Sequence, residues 1–343
     1  MGVKFGPLFK EAGVGLTVDP SYLDGKTIAI DALPTIYEVL ATIRDYRGEY
    51  LKDNLGRVTS HLVGLFNRTA RMLSLGIKPV YVFDGPPHPL KNKTVETRKE
   101  RKEQALQKLN EARKAGVIED IVKYAKQAIF VTDEIIDDAK KLLKLLGVPI
   151  VQAPHDGEAQ AAYLVKQGVC FAVASPDYDS FLYGSPKVIR GLKMSLQRKE
   201  KPIIYDLSTI LRSLNITREQ LVDIAILIGT DFNPEGFRGI GPKKALNFIK
   251  KHGSIENLIK KKIISWELSI DVNELREVFL NPKVSDDYVI KFSEPEEEKI
   301  IEFLVEEHNF SLERVKKELG EIFRRIKREK KGGVQASLDK FFG

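Results

Sequence analysis

Three apolar runs of this 343-residue chain end in aspartate: Ile28-Ala-Ile-Asp31, Val80-Tyr-Val-Phe-Asp84 and Ala172-Val-Ala-Ser-Pro-Asp177-Tyr-Asp179. Asp156 and Glu158 follow a fourth run, Val148 to Val151, and Asp231 follows the apolar stretch Leu221 to Ile228 through Gly229 and Thr230. A single aspartate at a strand end usually caps the next helix or forms a turn. Seven carboxylates on one edge are different, because like charges a few ångströms apart cannot all stay ionised without compensation. Divalent cations supply that compensation. Hard oxygen donors without Cys or His suit Mg2+, with Mn2+ as a substitute, rather than zinc. The chemistry such a set could run is two-metal phosphodiester hydrolysis. The five histidines show no ligand spacing such as HExxH, and no Walker A loop or dinucleotide fingerprint is present.

To converge, these carboxylates need parallel strands, since the ligand crevice of an open α/β sheet lies beyond the carboxyl ends of its strands. Short β-branched runs predict strands at 27–30, 79–83, 148–151, 169–174, 187–189 and 202–205. Apolar residues at spacings of three and four predict helices between them at 37–43, 60–75, 132–146 and 159–165. This alternation predicts an α/β fold with a mainly parallel sheet flanked by helices. From about residue 208 the pattern turns helical, with helices expected at 217–228, 242–251, 255–261, 272–279, 296–307 and 311–329. The chain therefore divides into an α/β core over 1–207, a helical region over 208–331 and a short tail over 332–343 with a linker from Gly332.

The formal net charge of +7 is unevenly spread. Segments 88–128, 238–262 and 312–331 carry +5, +7 and +5, so the remainder carries −10. An acidic body with basic flanks suits a polyanion held over a metal centre. One cysteine, Cys170, excludes an internal disulfide framework, and no run approaches a membrane span, so an intracellular protein is expected. Lys91 and Arg98 stand seven residues apart and share a face if 91–115 is helical. The segment Phe237-Arg-Gly-Ile-Gly-Pro-Lys-Lys-Ala-Leu246 reads as a helix-hairpin-helix over about 229–262. Its Gly239 and Gly241 let backbone amides approach phosphate, the next helix offers its N-terminus, and Lys243 and Lys244 add charge.

Together these motifs resemble the flap endonucleases of the archaeal and eukaryotic type, within the superfamily of structure-specific 5′ nucleases, along essentially the whole chain. The likeness rests on Ile28-Ala-Ile-Asp-Ala32, Thr59-Ser-His-Leu62, Gly76-Ile-Lys-Pro-Val-Tyr-Val-Phe-Asp-Gly85, Ala153-Pro-His-Asp-Gly-Glu-Ala-Gln-Ala-Ala162, Asp177-Tyr-Asp179, Gly229-Thr-Asp231 and Gly239-Ile-Gly-Pro-Lys-Lys244. The resemblance implies a PIN-like nuclease core, a helical arch at about 88–130, and cleavage of branched DNA at 5′ flaps in replication (Okazaki fragment maturation) and repair, with 5′–3′ exonuclease activity alongside. It implies that Asp31, Asp84, Asp156 and Glu158 serve mainly one Mg2+ ion and Asp177, Asp179 and Asp231 mainly a second. Two positions depart from the family: Asp156 stands where it usually has Glu, and Pro34 is unusual in the helix after Asp31, tolerable only in its first turn.

The same likeness makes Lys91 and Arg98 contacts of the scissile phosphate, and Tyr37 the ring that stacks on a base at the cleavage site. Arg44, Glu158, Gly229 and Asp231 join the DNA-contacting set, and Thr59, with Arg68 and Arg71 downstream, matches the region that captures a one-nucleotide 3′ flap. A K+ ion is implied at the helix-hairpin-helix. The end of the chain, Gln335-Ala-Ser-Leu338-Asp-Lys-Phe341-Phe342, fits the peptide signature for a PCNA-type sliding clamp, with Gln335 on the pocket rim and Leu338, Phe341 and Phe342 filling an apolar cleft. A monomer is expected. A non-catalytic clamp-bound junction scaffold, or a related nuclease preferring bubbles or Holliday junctions, are the competing readings.

Overall fold

The computed structural model describes the backbone of residues 2–192 and 201–342, and the side chains of all these except 92–94 and 331–342. The clamp-motif side chains of Gln335, Leu338, Phe341 and Phe342 thus lie outside the described residues, as does that of Lys93. Seven strands are described: β1 (Gly15–Thr17), β2 (Thr27–Asp31), β3 (Lys78–Phe83), β4 (Ile150–Gln152), β5 (Ala172–Ala174), β6 (Lys187–Arg190) and β7 (Ile203–Asp206). They form one sheet in the order β1-β7-β6-β5-β2-β3-β4. β4, β3, β2, β5 and β6 run parallel, and β7 and β1 add an antiparallel margin. The expected mainly parallel sheet is therefore present. β1 carried no sequence signal because its three residues are all exposed.

From β2 the chain crosses to β3 and β4 on one side, then returns to β5 and β6 on the other. That reversal is a topological switch point, where the crevice at the strand ends opens. Period-two alternation divides the sheet's two faces. Ile28, Ile30, Tyr81 and Phe83 pack with α2 (Ala32–Thr42), α3 (Ser60–Ser74) and α6 (Asp133–Leu145), whereas Ala29, Val80, Val82 and Val173 pack with α7 (Gly157–Lys166). Pro34 is the third residue of α2 and so falls in its first turn, where a missing N–H costs nothing.

Two helices, α4 (Asn92–Ala115) and α5 (Ile118–Ala125), pack on each other and share a small core of Ala105, Leu109, Ala125 and Ala128. The helical region follows: α8 (Leu207–Leu214), α9 (Arg218–Ile228), α10 (Pro242–His252), α11 (Ile255–Lys260) and α12 (Val272–Leu280). With α1 (Gly6–Glu11) these build a second core around Phe9, Phe181, Leu221 and Phe279. The stretch expected as one helix at 296–307 is α13 (Glu297–Ile301) running into a π-helical turn, Glu302–Glu307. α14 (Leu312–Phe342) continues as helix through the stretch expected to be a linker. Helices α1 and α8 had no sequence prediction, and α5 was expected only as part of the helical arch.

Candidate active site

Strand register places the first carboxylates. Asp31 ends β2 opposite Val82 of β3, so Asp84 emerges two residues further along the neighbouring strand. Asp31 and Asp156 stand at the N-cap positions of α2 and α7, yet neither side chain makes a capping hydrogen bond. Helix capping therefore does not account for them. Asp84 reaches across instead and accepts from the Gly157 amide at the start of α7. A side chain at position 157 would crowd both carboxylates, because a Cβ there would come within 2.9 Å of Asp84 Oδ1 and 3.3 Å of Asp31 Oδ1. Asp179 accepts from the Val3 amide at 2.6 Å, and the Ser175 hydroxyl lies 3.3 Å from Glu158 Oε1 while accepting the Asp177 amide at 3.1 Å. Asp231 arrives from the helical region through Gly229, whose φ of 108° suits glycine, and a turn in which Thr230 donates to Asn233 Oδ1 at 2.6 Å.

The carboxylates feel one another. Burial, reinforced by Asp84, raises Asp31 well above the usual range, and burial with Asp179 and Asp31 does the same to Glu158. Burial pushes Asp84 up to about 6 and Asp179 up to about 7, with Asp156 adding to the first and Asp177 to the second. Asp31 Oδ1 is buried and has no hydrogen-bond partner. Among the described residues no group of three or more His, Cys, Asp or Glu is arranged to hold a metal ion in this conformation. Two cations stand among the acids instead: Lys91 Nζ lies 2.6 Å from Asp156 Oδ1, and Arg98 Nη2 lies 2.5 Å from Asp231 Oδ1. An all-carboxylate donor set with an orphaned buried oxygen fits a hard divalent cation, which favours the ionised forms that burial penalises.

The expected DNA contacts divide into two groups. Lys91 and Arg98 stand at the carboxylates, whereas Tyr37 meets the same helix further along: Lys91 precedes α4 as its N-cap residue, and Lys102 of α4 donates to the Tyr37 hydroxyl at 3.0 Å with its ammonium 4.6 Å from the ring centre. The link to Lys102 has no local sequence signal, since 65 residues separate the two. Gly239 and Gly241 lie open at the start of α10, with Lys244 donating to Gly239 O at 3.2 Å and Lys243 paired to Glu11 on the surface. The structure does not bring Arg44 to the site. Its guanidinium donates to the carbonyls of Leu40, Gly48 and Ala125 and stacks 4.2 Å from the centre of the Tyr50 ring, fastening the base of α5 to the body. Thr59 is buried before α3 without capping it, Arg68 is held by Glu38 at 2.5 Å, and Arg71 is exposed.

Comparison with known proteins identifies the family. The XPG N-terminal domain matches residues 1–105 and the XPG I-region residues 147–231. Flap endonuclease 1 of Pyrobaculum calidifontis is 48% identical over 328 residues, covering 93% of this chain and 94% of the relative. The chain belongs to the flap endonuclease family. Flap endonuclease-1 from Methanococcus jannaschii superposes with a TM-score of 0.75 at 38% identity, over 96% of this chain and 100% of that one. The catalytic core of Rad2 in complex with DNA substrate superposes with a TM-score of 0.73 at 25% identity, over 94% and 100% of the two chains. Members of the family are nucleases that hydrolyse phosphodiester bonds. Among the described residues no helix is long and apolar enough to cross a membrane.

Proposed function

We propose that this chain cuts branched DNA at 5′ flaps in replication and repair, with 5′–3′ exonuclease activity alongside, and that it uses two Mg2+ ions for which Mn2+ can substitute. The observation that carries this reading is the set of buried, mutually repelling carboxylates at the sheet's switch point, beneath a basic helix whose Lys91 and Arg98 already rest on two of them. When bound by Asp31, Asp84, Asp156 and Glu158 on one side and Asp177, Asp179 and Asp231 on the other, the ions would supply Lewis-acid stabilisation of the attacking and leaving oxygens. Lys91 and Arg98, released from their carboxylates, then place positive charge against the scissile phosphate. Tyr37 offers its ring to an adjacent base. Gly239 and Gly241 present backbone amides to a phosphate away from the cut, with Lys243, Lys244 and a K+ ion sharing that role. The terminal motif containing Phe341 and Phe342 recruits a PCNA-type clamp.

A labelled double-flap substrate tests the reading. With Mg2+ the 5′ flap should be released near the junction, and EDTA should stop release. Release that persists in EDTA, or no release with Mg2+, would overturn it. Truncation after Lys331 should leave cleavage of a short flap nearly unchanged and remove stimulation by the cognate clamp; full stimulation of the truncated protein would reject the clamp motif.

A further inference from the structure

Asp156 has both oxygens engaged: Oδ1 by Lys91 Nζ at 2.6 Å and Oδ2 by the Tyr183 hydroxyl at 3.1 Å. Tyr183 is 7% exposed. Its hydroxyl, a donor below the ordinary phenol pKa of about 10, gives its hydrogen bond to Asp156 Oδ2. The turn that delivers it is fixed from behind. Arg218 donates to Leu182 O at 2.9 Å and to Phe279 O at 2.8 Å. Gly184, at a φ of +85°, lies against the same guanidinium, and the Tyr183 ring packs 5.4 Å from that of Phe279. A phenol anchored this firmly with its hydroxyl aimed into an acidic cleft does more than fill space.

Asp156 needs such a partner because it occupies an N-cap position. Aspartate there ordinarily turns back to accept the free amides of its own helix, and Asp156 does not. We propose that Tyr183 is a positioning residue for Asp156. Its hydroxyl draws Oδ2 away from the α7 amides, so that Oδ1 faces the ion site once Lys91 turns to phosphate. A side chain one methylene shorter than Glu has little reach to spare, so its rotamer decides whether it helps to hold an ion. This inference rests on the metal-dependent reading above and names a residue that reading does not need.

The test is Mn2+ titration of the full DNA-free protein, following free Mn2+ by electron paramagnetic resonance, for the unsubstituted chain, Tyr183→Phe, Asp156→Glu and the double variant. Tyr183→Phe should weaken Mn2+ binding about tenfold, as loss of a partner behind a metal ligand does. Its melting temperature in EDTA should hold or rise, because the freed Asp156 can cap α7. Asp156→Glu alone should also bind worse, its extra methylene meeting the Tyr183 hydroxyl, whereas the double variant should recover most of the affinity. Equal Mn2+ affinity in Tyr183→Phe, or losses that simply add in the double variant, would overturn the inference. Failure of the unsubstituted chain to bind Mn2+ would instead sink the metal reading beneath it.

Discussion

In the helical region Asp223, 2% exposed, accepts Arg276 Nε at 2.9 Å and the Ile255 amide at 3.2 Å, and Arg276 goes on to grip Glu256 at 2.8 and 3.0 Å. At the sheet edge Asp31, 6% exposed, has an oxygen with no partner, and its largest charged influence is another carboxylate. Both regions hide acids from water, which is costly unless each charge is paired. The Asp223 cluster answers that cost within the fold, with a guanidinium and an amide. The edge cluster leaves it unanswered at Asp31 Oδ1; amides and hydroxyls hold Asp84, Asp179 and Glu158, and the cations Lys91 and Arg98 pair with Asp156 and Asp231. Buried acids that pair internally hold α9, α11 and α12 together. Those that do not are kept for something that arrives from outside.

Removing an acid from one region and a cation from the other separates the two roles. Asp179→Asn keeps an acceptor for the Val3 amide and deletes a charge from the cleft. Cleavage should fall by about 10³-fold or more, equivalent to about 4 kcal/mol of transition-state stabilisation, while flap binding measured in EDTA holds or tightens. A parallel loss of binding and rate would mean that the edge acids are structural, and the contrast would collapse. Arg276→Ala attacks the other side. It strands Asp223 in the interior, and stability measured by urea unfolding should drop by about 3–5 kcal/mol. Cleavage per folded molecule should stay level, and an equal loss in both assays would show that the helical cluster also serves the site.

Much of the edge cluster was legible because strand ends are legible. The runs ending at Asp31 and Asp84 are buried on both faces, so they are continuously apolar and end abruptly where the crevice begins. The same signal overreached at 148–151 and 169–174, where Val148 and Cys170 are buried and Val169 half-buried in the turns leading into β4 and β5. Partnerships were not legible. Arg98 meets Asp231 across 133 residues, and nothing near Arg44 distinguishes a guanidinium that holds three carbonyls from one that waits for phosphate. Tyr183 carried no signal, since the sequence cannot show which way a phenol points.

The pH dependence of stability sharpens the contrast with the smallest effect. Asp84, raised to about 6, and Asp179, raised to about 7, hold protons more tightly in the folded chain than in the unfolded one, chiefly because of burial. Their contribution is complete below the ordinary carboxylate range near pH ~4 and is lost as pH rises through about 6 and about 7. Asp223, raised to about 6 by burial against the pull of Arg276, slopes the same way. Glu256, lowered to about 2 chiefly by its hydrogen bond from Arg276, slopes oppositely, its stabilisation lost only as pH falls toward 2. Between roughly pH 5 and 8 the raised acids titrate, opposed by His88 and His252, whose pKa values are lowered chiefly by desolvation. The raised acids are the more deeply buried groups, so the melting temperature in EDTA should fall by roughly a few degrees as pH rises. Asp179→Asn should flatten that fall by removing the group with the higher midpoint. Mg2+ should restore more stability at pH 8 than at pH 5, because a cation stabilises the ionised acids that the protein does not. A slope untouched by both the substitution and Mg2+ would place the titrating acids in the helical cluster and leave the edge cluster without its distinguishing charge.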